Sequence, residues 1–366
     1  LAFTYLSLQS KKDIMEHLRN FDPNAVAGDQ NGIFGLPFTE EQAQLVIVPV
    51  PWEVTVSYRS GTSRISEKIF EASKQIDLYD ADAVDMWKRG FFMQEIDEDI
   101  LADNDYLRHC AELIISNLME GDSTERHPQL QAKLNDINTK GEQLRVKIKE
   151  KTLALLKANK QVALLGGDHS TPLGFMEAVG EHFGDFGILQ IDAHADLREA
   201  YEGFTYSHAS IMYNALQRVP QLSKLVQVGI RDYCDSEVAK VKASNCRVVS
   251  FYDADIKRRL YIGDTWKQVC DDIVAQLPHN VYISFDIDGL DPKLCPNTGT
   301  PVPGGFDTEQ VYYLFLRLVE SGKRIIAFDL NEVSCGEHIH DGIDALVGAR
   351  ILYKLCNLMM RSSTAS

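Results

Sequence analysis

Positive charge is scarce in this chain of 366 residues, with 37 Lys and Arg against 53 Asp and Glu and a formal net charge of −16. So acidic a surface excludes a general affinity for nucleic acid or for an anionic membrane. Long apolar runs are also missing, and none approaches the roughly 18 residues of a membrane span. The opening LAFTYLSLQSKKD has no basic start followed by a long apolar stretch, so no secretory signal is expected. Cysteine is sparse and unpatterned. The seven cysteines (Cys110, Cys234, Cys246, Cys270, Cys295, Cys335 and Cys356) are odd in number, lie far apart and include no C-x-x-C pair. This usage argues against a disulfide framework and fits free thiols in a reducing compartment, so a cytoplasmic location is expected. Neither an internal repeat nor a low-complexity tract is found.

What the chain does have is apolar content, 45% of its residues, enough for a large core. Much of it falls in short runs: QLVIVPV (44–50), QVALLGG (161–167), FGILQID (186–192), KLVQVGI (224–230), CRVVSFY (246–252), NVYISFDID (280–288) and RIIAFDLNEV (324–333). Continuous apolar runs of this length suit strands buried on both faces. Helical patterns lie between them, among them TPLGFMEAVGEHFG, TWKQVCDDIVAQL and TEQVYYLFLRLVESGK. The last is preceded by Asp307 as N-cap, with Gln310 three residues on. The alternation predicts an α/β fold, a three-layer α/β/α sandwich with a central, mostly parallel sheet in a single domain. Residues 1–40 read as an N-terminal extension and 41–366 as the domain, with a largely helical insertion at about 104–160. Within the insertion, QLQAKLNDINTKGEQLRVKIKEKTLALLKANK suggests one long helix interrupted near Gly141, packed on the domain's edge or serving as an oligomer contact.

Chemistry gathers where the apolar runs end. Asp192, His194 and Asp196 occupy alternate positions after FGILQI and would share a face if the extended backbone continued. Asp286 and Asp288 repeat the spacing in SFDIDGLDP. Asp168 and His169 follow two glycines in ALLGGDHS, and Asp329 and Glu332 lie in AFDLNEVS. Ligands of open α/β sheets bind beyond the carboxyl ends of the strands, so these clusters are expected to meet in one crevice. So many carboxylates in contact would force some to stay protonated unless cations lie between them. The donor count exceeds one tetrahedral zinc and suits two bridged divalent ions. Imidazole and carboxylate donors without thiolate favour Mn²⁺ or a similar ion. Any one cluster alone reads equally as a turn or helix cap. Asp291, before Pro292, reads as a turn residue, and Asp168 and Asp329 as acceptors that hold ligands in place.

GGDHS, DAHAD and SFDIDGLDP, in this order, resemble the three metal motifs of the ureohydrolase family of arginase, agmatinase, formimidoylglutamase and their relatives. SYRSGTSRISEKIFEAS, TGTPVPGGF and AFDLNEVS resemble further family segments, so the likeness spans roughly 44–103 and 161–360. It implies that His169, Asp192, Asp196 and Asp286 hold one manganese, and Asp192, His194, Asp286 and Asp288 the other. A hydroxide between the ions would be the nucleophile, with Asp196 orienting it. Glu332 would pair with the substrate guanidinium. His208, in FTYSHAS, matches the family's loop histidine and would pass a proton to the leaving nitrogen, unless it simply caps the following helix.

The resemblance also frames the substrate. Arg198 stands where arginases carry an asparagine, and DLREAYEGFTYSHA is similar to agmatinase-type members. Hydrolysis of a small, linear, agmatine-like guanidino compound to urea and an amine is therefore expected. Arginine, a guanidino acid or formimidoylglutamate are the alternatives on the same site, and a non-catalytic metal-binding relative is the alternative class. Arg198 has two readings: a loop residue paired with Glu199, Glu202 or another acid, or a clamp for a substrate carboxylate. Trp52 and Glu53 depart from the agmatinase pattern, and His338 and His340 alternate in a polar loop, read as a plain solvated loop, a pocket rim, an intersubunit contact or a further metal site. The family tends towards trimers and hexamers, which implies a homo-oligomer.

Overall fold

A computed structural model describes residues 18, 21–335 and 342–364. His338 and His340 lie outside the described residues.

The seven apolar runs all form strands: β1 (Leu45–Pro49), β3 (Gln161–Leu165), β4 (Phe186–Ile191), β5 (Leu222–Ile230), β6 (Val248–Tyr252), β7 (Asn280–Asp286) and β8 (Arg324–Asn331). An eighth, β2 (Phe91–Met93), is only three residues long and was not legible as a run. They make one sheet in the order β2-β1-β3-β8-β7-β4-β5-β6, with every neighbouring pair parallel.

Apolar runs form these strands because both faces of the sheet are covered. In β1, Leu45 and Ile47 join one buried cluster while Val46 and Val48 join the other. The first cluster lies under α1 (Ile65–Ser73), α8 (Trp266–Ala275), α9 (Thr308–Glu320) and α10 (Ile343–Thr364). The second lies under α2 (Glu98–Met119), α3 (Pro128–Lys157), α4 (Leu173–Phe183) and α5 (Ile211–Arg218). Two short helices, α6 (Asp235–Ala243) and α7 (Asp253–Tyr261), flank β6. The capping box expected at α9 is present: Gln310 N donates to Asp307 Oδ1 at 2.9 Å, and Asp307 N to Gln310 Oε1 at 3.0 Å. Residues before 40 already contribute to the first cluster through Ile33, Phe34, Leu36 and Phe38.

The excursion between β2 and β3 differs from its sequence expectation in one respect. The helix α3 runs unbroken through Gly141. Glycine in a helix interior costs about 1 kcal/mol relative to alanine, so a reason is needed. The reason is contact: a Cβ at 141 would lie 3.0 Å from Cδ2 of Tyr206. Together α2 and α3 bury Leu107, Cys110, Ile114, Ile137, Leu144 and Ile148 in the second cluster, so they form part of its helical layer.

Candidate metal centre and substrate pocket

Four adjacent central strands, β3-β8-β7-β4, end on the same side, and each hands over to a loop that carries part of the site. The loop after β3 carries His169, which is fully buried. Its Nδ1 lies 3.0 Å from Asp196 Oδ2, 3.1 Å from Asp192 Oδ2 and 3.3 Å from Asp286 Oδ2. That buried nitrogen makes no hydrogen bond. Its other ring nitrogen, Nε2, is engaged 2.9 Å from Ser284 Oγ, which donates to Asp329 Oδ1 at 3.0 Å. A ring anchored at Nε2 leaves Nδ1 as the free donor, the usual arrangement of a ligating histidine.

A second group adjoins the first. His194 Nδ1 lies 2.9 Å from Asp288 Oδ2 and 3.7 Å from Asp192 Oδ1. Two metal-competent sets result, His169–Asp192–Asp196 and Asp192–His194–Asp288, and Asp192 belongs to both. Asp286 reaches the first set through Oδ2, while its Oδ1 accepts from Asp288 N at 2.9 Å. All six expected ligands thus come together.

Strand alternation is not what gathers the DAHAD residues. β4 ends at Ile191, and Asp196 adopts a left-handed backbone with φ +54. That turn swings its carboxylate back towards His169. Glu332 is also left-handed, with φ +61. Non-glycine residues in this region carry strain and cluster at functional sites.

Asp192 is held from several sides. Its Oδ1 accepts from His194 N at 2.6 Å and its Oδ2 from Gln190 Nε2 at 2.8 Å. Gln190 in turn accepts from Gln227 Nε2 at 2.8 Å, and Gln227 accepts from Ser250 Oγ at 2.8 Å. These three polar residues lie in register across β4, β5 and β6. The signal was present in the sequence, one polar residue inside each of ILQID, LVQVGI and VVSFY, and it passed unread. Arg231 was missed as well. Its guanidinium donates to the carbonyls of Gly229, Asp288, Leu290 and Val302 at 2.5–3.2 Å, pinning the turn that carries Asp288.

The carboxylate crowding has the electrostatic consequences expected of a site built for cations. Burial, then repulsion from Asp288 and Asp192, pushes the Asp286 carboxyl well above its usual range. Burial and Asp192 push Asp196 up to about 7. Burial also opposes ionisation of Asp192, but His169 and His194 outweigh it and hold that carboxyl low. Donor set, orphaned imidazole nitrogen and congested carboxylates all fit a divalent binuclear centre.

Glu332 sits beside this centre. Its Oε1 accepts from His169 N at 2.8 Å, and burial followed by Asp168 repulsion raises its carboxyl well above the ordinary value. Asp168 is a holding residue, accepting from Thr55 Oγ1 at 3.0 Å and Ser170 N at 2.9 Å. Asp329 accepts from Ser284, Tyr282 and Asn331, and burial raises it to about 6. Asp291 accepts from Lys293 N at 3.0 Å and serves its turn.

A pocket of about 480 Å³ opens over His194 and Asp196. His208 lines it, and its N donates to Thr55 Oγ1 at 3.1 Å. Burial, reinforced by His194 and His169, lowers its pKa to about 3, so the ring is neutral. The helix-capping alternative belongs to Ser207, whose Oγ accepts from Ala209 N at 3.2 Å. Arg198 lines the pocket with its guanidinium 4.8 Å from the Tyr201 ring centroid. Its expected pairing with Glu199 or Glu202 does not form, because Glu199 goes to Lys240 at 3.1 Å and the Glu202 Oε2 is buried without a hydrogen bond. Tyr58, Arg59, Asp232, Tyr233 and residues 300–302 also line it; Tyr58 and Arg59 fall in the segment SYRSGTSRISEKIFEAS and 300–302 in TGTPVPGGF, whereas no such segment contains Asp232 or Tyr233.

The arginase family model matches residues 43–357. An N(1)-aminopropylagmatine ureohydrolase of Thermus thermophilus is 32% identical over 320 residues, covering 87% of this chain and 91% of that protein. An agmatinase of Proteus mirabilis is 30% identical over 345 residues, covering 91% and 94%. The solved proclavaminate amidino hydrolase of Streptomyces clavuligerus superposes with a TM-score of 0.69 at 22% identity, covering 93% of this chain and all of that one. Motifs, sheet order and family match agree, and the chain belongs to the arginase family.

Proposed function

We propose that this protein hydrolyses the guanidino C–N bond of a linear, agmatine-like compound to urea and an amine. The observation that carries the reading is the pair of ligand sets sharing Asp192, with Glu332 buried beside them. His169, Asp192, Asp196 and Asp286 would hold one ion, and Asp192, His194, Asp286 and Asp288 the other. Mn²⁺ suits this oxygen-rich, thiolate-free set. When bound, the ions supply Lewis acidity and water made acidic enough to attack near neutral pH.

The protein's residues would do the rest. Glu332 would accept from the guanidinium N–H groups and orient the guanidino carbon towards the ions. Water's oxygen adds to that carbon, the bond to the chain nitrogen breaks, and the leaving nitrogen takes a proton. His208, lining the pocket, would pass the proton released by the attacking water to the departing amine. The named relatives act on aminopropylagmatine and agmatine, and this supports a substrate with an amine-bearing tail. Asp232 on the rim suits such a tail. A guanidino acid is the second reading, favoured by one observation: among the described residues no carboxylate pairs with the pocket-lining Arg198.

The test is urea release by Mn²⁺-loaded protein on agmatine, aminopropylagmatine, arginine and guanidinobutyrate, with formamide release from formimidoylglutamate measured in parallel. Urea chiefly from the amine-tailed substrates supports the reading. Preference for guanidinobutyrate transfers it to the Arg198 clamp. Two bound metals without urea from any of them would overturn it.

A further inference from the structure

The loops bearing His208 and the pocket rim touch the metal cradle, where Thr55 Oγ1 donates to Asp168 at 3.0 Å and Met212 N to Asp196 O at 3.1 Å. They are also gripped from the helical excursion. One helix, α3, presents Leu134, Asn138, Gly141 and Glu142 at one-turn spacing to residues 203–206. Asn138 forms a reciprocal bracket, accepting from Thr205 N at 2.8 Å and donating Nδ2 to Gly203 O at 3.3 Å. Leu134 lies over Gly203, and the Tyr206 ring lies over Gly141. Tyr206 OH donates to Glu142, which is fixed from behind by Arg145 through contacts of 2.5 and 2.9 Å.

The neighbouring helix does the same for the other loop. Asn104 Oδ1 accepts from Glu53 N at 2.7 Å, and Arg108 Nη1 donates to Val54 O at 3.2 Å and Val56 O at 2.5 Å. Between those carbonyls lies Thr55, whose Oγ1 meets His208 at both its backbone N and its ring Nδ1, 3.1 and 3.4 Å away. His208 therefore stands where two loops meet, and each loop is bracketed by a different helix of the same excursion.

We propose that the α2–α3 excursion is a positioning device for the substrate pocket, with Asn138 and Arg108 as positioning residues that fix His208 and the 53–59 rim over the ions. The inference rests on the proposed role of His208. Packing alone does not account for the arrangement. A helix that merely covered the sheet would have no use for a glycine under Tyr206, nor for an asparagine saturated by two backbone groups of one loop.

Asn138→Ala is the informative variant, because Asn138 is only half-buried and contributes nothing to either apolar cluster. Its metal content and thermal midpoint should match the parent. Urea release at saturating substrate should fall about tenfold with KM changed far less, the pattern of a misplaced group acting in the chemical step. Deuterium uptake of the segment 199–208 should quicken in the metal-loaded protein. Asn138→Asp keeps the acceptor for Thr205 N and should recover most of the rate. Arg108→Lys should quicken uptake in 53–60 instead. A parent-like kcat in Asn138→Ala, or unchanged uptake in 199–208, would overturn the inference. If the parent releases no urea from any guanidino substrate, the functional reading fails, and the exchange data still decide whether the helices hold the loops.

Discussion

The metal cradle and the pocket rim lie against each other yet are built in opposite ways. Every cradle residue sits within a few positions of a strand end, on four strands that are neighbours in the sheet. Its carboxylates and His169 are buried, and they are held by backbone amides and by polar residues on the same strands. The rim comes from loops at 57–59, 198–209, 232–233 and 300–302, far apart in sequence and fixed from helices outside the sheet. The cradle is thus built on the sheet, while part of the rim loop, residues 203–206, is bonded to a helix that supplies none of the cradle residues.

The sharpest way to break the contrast is to remove the residue the two ligand sets share. Asp192→Ala should lose bound metal, measured by elemental analysis after Mn²⁺ loading, and reduce urea release by about a thousandfold or more, since both ions lose a ligand. A variant with two ions and full turnover would dissolve the cradle as described. Next comes Glu332→Gln, which keeps every metal ligand. It should retain both ions while kcat/KM for the guanidino substrate drops about a hundredfold, from loss of a charge-assisted contact. Unchanged kcat/KM would remove Glu332 from the substrate site.

A smaller effect is expected one step behind the cradle. Gln190→Leu removes the amide that donates to Asp192 Oδ2 and leaves Gln227 Nε2 with Ala195 O as its remaining acceptor. Residues supporting ligands in this way are worth about 10–100-fold in metal affinity. Titration with Mn²⁺ should therefore show a weaker site with kcat at saturating metal largely kept. Wild-type affinity would mean that the row of Gln190, Gln227 and Ser250 serves the sheet alone.

This division also explains what could be read beforehand. Seven strands were legible because burial on both faces leaves unbroken apolar runs, and the clustered Asp and His residues stood out because they fall beside such runs. β2 escaped because three residues are too few for a pattern. Gly141 was taken as a break because glycine's local signal is a helix breaker, whereas its cause is the Tyr206 ring, 65 positions away in the chain. Arg198 read as a partner for nearby acids, but Lys240 claims Glu199. Most rim residues fall in segments that carry the family resemblance, but Asp232 and Tyr233 do not, and only folding brings these loops together.

The weakest effect expected concerns the rim's attachment and is read through pH. Arg145 first, then Tyr206, holds the Glu142 carboxyl down to about 2, against an ordinary value of 4.5. The folded state thus resists protonation of Glu142 where the unfolded chain accepts it. The stabilisation is complete above about pH 4.5 and is lost as pH falls towards 2. Glu142 is two-fifths exposed, so solvent screening keeps the effect modest. Glu142→Gln should therefore be less stable than the parent at pH 7, and the gap in urea-unfolding midpoints should narrow as pH falls below 4.5. The same variant should leave the metal content unchanged, because Glu142 grips a loop and no ligand. A gap that stays constant with pH would mean that the contact with Tyr206, which glutamine can still accept, carries the attachment and the charge does not.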